Sequence, residues 1–264
     1  SYGPFNLGGA TPATRVSSVS PNSLYQGHGR IYFAISGTSL DGITVSLRDR
    51  NGNDVTGLSE VADMSDESIR LYEFSGSLTE AAQPYTLTVR KNGDVIHNEN
   101  IQVLTPPAGQ PFATVNQINL SGDVHQGYTE RPEGTVNFAG AVAASDLSMR
   151  VVRLNGQSAG AATFTTFGSQ SQHQFELPDN LTEGRYKLQL LQHGRLLAEM
   201  PFRVHEPLPL TPVVQGVFET SPANLSTGET YFSVRGQHFG TNIDDIKDAY
   251  LVNEDDDKDR IALE

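Results

Sequence analysis

Apolar residues recur along this chain in short runs, many of them at every second position, separated by glycine, proline and asparagine. Ile43, Val45 and Leu47 alternate with Thr44 and Ser46, the period of a strand with one face buried and the other wet. Ile31-Tyr32-Phe33-Ala34-Ile35 is a second strand, ended by Ser36-Gly37. Val16 and Val19 precede the turn signal Ser20-Pro21, and Ile69, Leu71 and Phe74 form a further run. Asn51-Gly52 predicts a hairpin turn of type I′, which needs φ > 0 at both central residues.

One of these patterns occurs twice. Tyr85-Thr86-Leu87-Thr88-Val89, an Asn92-Gly93 turn and Ile101 to Val103 return as Tyr186-Lys187-Leu188-Gln189-Leu190, a His193-Gly194 turn and Phe202 to Val204. A repeat spaced this widely is a domain-sized β unit, longer than the ~20–50 residues of a solenoid repeat. In the second copy Val115 and Ile118 open the unit. Thr135 to Phe138 ends at Gly140, the counterpart of Gly37; Leu147, Met149, Val151 and Val152 precede an Asn155-Gly156 turn; Phe164, Phe167, Phe175 and Leu177 supply later strands.

Prolines mark the boundaries. Pro106, Pro107 and Pro111 crowd one linker, and Pro207, Pro209 and Pro212 another; a segment so rich in proline cannot serve a central strand and is stiffened by polyproline II bias. The expected organisation is an N-terminal arm over residues 1–12, a sandwich over 13–105, a second over 112–206, and the first half of a third over 213–264. Half a sandwich leaves an apolar face uncovered, so either the natural chain continues or another surface completes the fold; the first reading is preferred. Stiff linkers between sandwiches predict an extended rod.

Composition narrows the function classes. Gly and Pro make 39 of 264 residues, which suits short strands and many corners. There is no cysteine, which excludes disulfides, thiolate metal sites and thiol catalysis. No apolar run reaches the ~18 residues of a membrane-spanning helix. The formal charge of −13 is concentrated after residue 206, and no basic face is present; a nucleic-acid partner is disfavoured, because that affinity rests on Lys and Arg neutralising phosphates.

The segment Glu183-Gly184-Arg185-Tyr186-Lys187-Leu188 resembles the tyrosine-corner strand of immunoglobulin-like domains, in which a tyrosine two residues before a core position anchors its corner to nearby backbone. Leu188 and Leu87 stand at that core position. Ser221-Pro222, Gly228 and Tyr231 to Gly236, followed by Gln237-His238-Phe239-Gly240, resemble the opening of an IPT/TIG immunoglobulin-like domain. Ser20-Pro21, Gly27 and Gly37-Thr38-Ser39-Leu40 follow that pattern more loosely. The resemblance implies an all-β chain of tandem immunoglobulin-like β-sandwiches joined by proline-rich linkers, of the kind found in bacterial surface proteins. It implies nothing about activity, since one fold hosts many functions.

Few residues suggest chemistry. Asp255, Asp257 and Asp259 have the alternate spacing that lets carboxylates converge on calcium; Arg260 stands where a calcium loop of the EF-hand kind needs glycine, and the competing reading is a solvated acidic hairpin tip. The histidines His28, His97, His125, His173, His193, His205 and His238 form no short-spaced pair and fall mostly at expected turns, so surface positions are expected. No Gly-x-Ser-x-Gly elbow or phosphate-binding loop occurs. Tyr2, Tyr25, Tyr72 and Tyr128 could stack on glycans from the surface; with no tryptophan in the chain, the preferred reading is that these rings cover strand edges and linkers.

The expectation is therefore a non-enzymatic structural and interaction region, an extended spacer and protein–protein contact module of a bacterial surface or secreted protein, extracellular, cell-surface or periplasmic, with other protein domains or subunits as partners and no cofactor beyond calcium. The alternatives are an adhesin or carbohydrate-binding module, an accessory region of a secreted glycan-active enzyme, and a subunit of a self-assembling surface structure.

Overall fold

Strands account for nearly all the regular structure, as the alternating pattern requires. A computed structural model of the chain describes residues 13–110, 112–127, 131–169, 171–207, 213–219, 232–237, 250–253 and 256–262. They fall in two units, Ser1–Pro207 and Leu208–Glu264.

The first unit opens with β1 (Arg15–Ser20), β2 (Ser23–Tyr25), β3 (Ile31–Thr38), β4 (Ile43–Arg48), β5 (Leu58–Glu60), β6 (Ile69–Phe74), β7 (Tyr85–Lys91) and β8 (Asp94–Leu104). They form two four-stranded sheets, ordered β1-β3-β6-β5 and β2-β8-β7-β4. The first strand changes sheets at Pro21: β1 runs antiparallel to β3, and β2 parallel to β8. Ile31, Phe33 and Ile35 point between the sheets and meet Phe74, Leu87, Val89 and Val103 in one apolar cluster.

The plan repeats in β9 (Val115–Leu120), β10 (Val124–His125), β11 (Glu133–Phe138), β12 (Leu147–Arg153), β13 (Ser158–Ser169), β14 (Gln172–Glu176), β15 (Gly184–Gln192) and β16 (Arg195–His205). Again β9 pairs antiparallel with β11, and β10 parallel with β16. The long β13 pairs first with β12 and then with β14, so it passes from one sheet to the other. Phe175, Leu177, Tyr186, Leu188 and Val204 fill the second core.

This is the strand order of the immunoglobulin sandwich, four strands facing a sheet of three with the opening strand shared. Both corner tyrosines close as that fold requires. The Tyr85 hydroxyl donates to the Thr79 carbonyl at 3.2 Å and accepts the Thr79 N–H at 3.0 Å. The Tyr186 hydroxyl donates to the Thr182 carbonyl at 2.8 Å. The chain is thus a tandem of immunoglobulin-like β-sandwiches.

Turns separate what pattern reads well from what it reads poorly. Asn92 and Gly93, at φ 53° and 92°, and His193 and Gly194, at 50° and 74°, make two-residue loops with both residues left-handed, the type I′ geometry that suits twisted strands. Asn51-Gly52 does not make one: only Gly52 is left-handed, at φ 82°. There Asp49 Oδ1 accepts the N–H groups of Asn51 and Asn53, both at 2.9 Å, and the hairpin closes over a longer loop, with Arg48 paired antiparallel to Asp54. Gly140 is not the structural counterpart of Gly37. A Cβ on Gly37 would meet the Arg15 carbonyl at 2.0 Å, whereas nothing lies within 4 Å of one on Gly140.

In the second unit β17 (Val213–Glu219) pairs antiparallel with β18 (Phe232–Gln237), and β19 (Tyr250–Asn253) with β20 (Asp256–Ala262). The expected arm over residues 1–12 lies outside the described residues.

Candidate functional site

The extended rod expected from the linkers is not what the first unit shows. Its two sandwiches pack against each other. Along β3 the residues between the core positions, Tyr32 and Ala34, are also buried, and so is Leu71 of β6. With Met64 of the same sandwich and Leu154 of the second they form a separate apolar cluster. Proline limits the bend within a linker, but buried area on the flanking modules decides whether they meet.

The facing surface belongs to β15 and β16, and a bulge sets its chemistry. Pairing runs Gln192↔Arg195 and Leu191↔Leu196, then shifts to Leu190↔Ala198 and Gln189↔Glu199. Without that extra residue Glu199 would stand opposite the core residue Leu188. With it, Glu199 turns to the outer face beside Lys187 and Gln189, because a one-residue shift exchanges faces.

There Lys187 Nζ lies 2.9 Å from Glu199 Oε1, with side chains only 2% and 0% exposed. Gln189 Nε2 donates to the same oxygen at 2.7 Å, and the Tyr32 N–H donates to Glu199 Oε2 at 2.7 Å. Lys187 Nζ also donates to the Tyr32 carbonyl at 2.9 Å. The ion pair of one sandwich is thereby completed by the backbone of the other. Removing two charges from water costs several kcal/mol each, roughly, and only such added hydrogen bonds offset it. The backbones pair as well: Gly29 N–H donates to the Leu197 carbonyl at 2.7 Å, and Glu199 N–H to the Arg30 carbonyl at 2.8 Å.

Cations of the second sandwich grip the turn at Ala62–Met64. Arg185 donates to the Met64 carbonyl at 3.0 Å and pairs with Asp66, and Arg203 donates to the Asp63 carbonyl at 3.2 Å. Burial works to raise the Asp66 pKa, but hydrogen bonds from Ser68, Ile69 and Arg185 outweigh it and hold the carboxyl at about 2. The Tyr32 hydroxyl is pushed up to about 12, by burial first and the Glu73 charge second.

Beside the lock lies a cleft of about 500 Å³, bordered by β9, by His28 to Arg30 and by Ala198 to Met200. His28 Nδ1–H donates to the Gly29 carbonyl at 2.7 Å, which leaves Nε2 bare and buried. Burial lowers the His28 pKa.

The residues singled out from sequence scatter. Asp255 lies outside the described residues; Asp257 and Asp259 fall within β20, a strand paired to β19, and not in a loop. Among the described residues no group of His, Asp and Glu is arranged to hold a metal. His173 is not at the surface: it is buried in β14, with Nε2–H donating to the Val142 carbonyl at 3.0 Å. His125 and His205, far apart in sequence, have ring centroids 5.4 Å apart because β10 pairs with β16. Of the tyrosines proposed as a stacking surface, Tyr72 is buried in the first core, its pKa pushed up to about 12 by burial and then by Glu60. Tyr25 packs between Phe112 and Arg195. Tyr2 and Tyr128 lie outside the described residues. Lys187 and Glu199 were missed because each reads as an exposed charge in an alternating strand; the available signal was Ile31 to Ile35, apolar on both faces.

No protein-family model matches this chain, and no curated protein matches it. Solved structures of paired modules resemble it distantly. Tandem Ig repeats of Dlar match at 11% identity and a TM-score of 0.32, over 74% of this chain and 98% of that one. The N-terminal Ig1-2 module of Drosophila receptor protein tyrosine phosphatase DLAR matches at 10% and 0.31, over 74% and 99%. Titin domains z1z2 in complex with telethonin match at 11% and 0.27, over 75% and 100%. These likenesses add no argument about role; strand order and the corner tyrosines carry the fold class.

Proposed function

We propose that the chain is a non-catalytic structural and protein–protein contact region of a bacterial surface or secreted protein, built of IPT/TIG-type modules, whose first two sandwiches serve as one rigid spacer block. The observation that carries this reading is the buried Lys187–Glu199 pair completed by Tyr32. A module that only tethers has no use for a desolvated lock, whereas one that holds its neighbours at a set geometry does. Tandem immunoglobulin-like modules are commonly structural or interacting regions, and the proline-rich segments suit presentation away from an anchor.

Two measurements test it. Spin labels at Thr44→Cys and Ser148→Cys, introduced into a chain with no other cysteine, are expected to give one narrow distance distribution; a broad one overturns the rigid block. Protease shaving of intact source cells is expected to release peptides of this chain; their confinement to the cytosol overturns the surface assignment.

A further inference from the structure

The cleft between the sandwiches is bordered by five consecutive residues of β9, 115–119. Side chains alternate faces along a strand, so an unbroken run along one cleft is the mark of the strand's backbone edge. The register shows which groups that edge presents. Ser121 N–H donates to the Glu133 carbonyl at 2.9 Å, and pairing continues Leu120↔Gly134, Asn119↔Thr135, Ile118↔Val136. Antiparallel ladders alternate bonded and non-bonded pairs. Asn119 and Gln117 therefore bond to β11, while the N–H and C=O of Ile118 and Leu120 turn outward. Among the described residues β9 has β11 on one side and no strand on the other.

The walls say what fits. Arg30 Nε is already engaged by Glu73 at 3.1 Å, and Glu199 by Lys187. A charged side chain entering the cleft would lose water and find no free counter-charge. What remains is neutral: the amides of Asn116, Gln117 and Asn119, the Ser75 hydroxyl, the His28 ring with its bare Nε2, and the aliphatic Ala198 and Met200. A glycan would want an exposed ring to stack on, and Tyr32, the aromatic residue bordering the cleft, is 4% exposed. A strand added to β9 needs about 4.8 Å of lateral space, and a cleft of about 500 Å³ accommodates a few residues of one.

We propose that this cleft docks an extended, uncharged segment of a partner protein, which adds as a strand to the free edge of β9. Backbone bonds to the outward N–H and C=O of Ile118 supply affinity, and the neutral walls select against charged sequences. The inference rests on the reading of the chain as a protein-contact region and assigns that role a place.

The test uses the whole chain and the peptide acetyl-Gly-Thr-Val-Asn-Val-Thr-Gly-amide as probe, with amide hydrogen exchange read by NMR. The peptide is expected to slow exchange at Ile118. N-methylation of the alternate amides along one edge of the peptide should abolish binding, while methylation along the other edge leaves it. Ile118→Pro removes the outward N–H without taking a ladder bond and should weaken binding by about tenfold, the effect of one unpaired acceptor. Absence of slowing at millimolar peptide, equal binding of both methylated forms, or equal binding of a version with lysine at both valine positions overturns the proposal. If Ile118→Pro disturbs the fold, the methylated peptides decide on the parent chain. Slowing along Ile43 to Val45 instead, at the edge of β4 away from β7, overturns this site and leaves the contact role standing.

Discussion

Lys187 and Glu199 sit on neighbouring strands of one sandwich, 2.9 Å apart, yet their hydrogen-bonding is finished by Tyr32, a residue of the other sandwich. The two charges neutralise each other within one module, but the remaining hydrogen bonds of both are made only when the two modules meet. Glu199→Ala should destabilise the first unit by roughly 3–5 kcal/mol, the cost of stranding a buried charge. Lys187→Met with Glu199→Gln removes both charges and keeps an acceptor for Tyr32, so it should recover at least half of that loss. Urea unfolding of the two variants checks the order; equal losses would mean that the pair is wet in solution.

Asp66 gives the interface an acid limit. Its carboxyl is held at about 2 in the fold against about 3.9 in an unfolded chain. The unfolded chain takes up the proton first as pH falls, so the stability Asp66 contributes is complete above about pH 4 and gone near pH 2. Asp66→Asn should be less stable than the parent at neutral pH, with the two converging as pH falls through that window. Thermal unfolding from pH 7 to 2 reads the difference, and a constant gap would show that the carboxylate charge is not what matters.

Tyr32 and Tyr72 give the alkaline limit. Both hydroxyls are pushed up to about 12, so the folded chain keeps protons that the unfolded chain releases near 10. Stability should therefore fall as pH rises from about 10 to 12. Ultraviolet titration should show phenolate formation in two phases, with the later one reduced by one tyrosine in Tyr72→Phe. A single phase near pH 10 would place these rings in water.

Gly29 is where the backbones come closest. A Cβ there would lie 3.2 Å from the Ala198 Cβ and 3.5 Å from the Leu197 carbonyl, and a branched side chain adds atoms to that contact. Gly29→Val should part the sandwiches while each core stays folded. The expected readout is a broadened distance distribution between labels at Thr44→Cys and Ser148→Cys, with the far-ultraviolet spectrum unchanged.

Much of this architecture is written in short-range pattern. The two corner tyrosines, the left-handed Asn92-Gly93 and His193-Gly194 loops and the alternating Ile43, Val45 and Leu47 act through neighbours in the chain or across one hairpin. The meeting of the sandwiches is not local in this sense. It depends on one extra residue in β16, which moves Glu199 from the core-facing to the outward-facing row, and pattern alone cannot place a bulge. Asn51-Gly52 misleads about turn type for a related reason: Asp49 captures the N–H groups of Asn51 and Asn53, and the hairpin closes over a longer loop at Arg48 and Asp54. Tyr72 and His173 were expected at the surface because their residue types favour it, and cross-sheet packing overrode the type.

The face bearing Tyr32, Ala34 and Leu71 has a consequence for synthesis. Those residues emerge with the first sandwich, but the strand that covers them ends at His205. At about 5–20 residues per second, translation of the intervening hundred or so residues takes roughly 5–20 s. For that interval a nascent module with a finished core carries an uncovered apolar sheet, a ready target for a chaperone or for the same face on a neighbouring ribosome. Arrival of β16 ends the exposure, so the tandem matures as a pair and not one bead at a time.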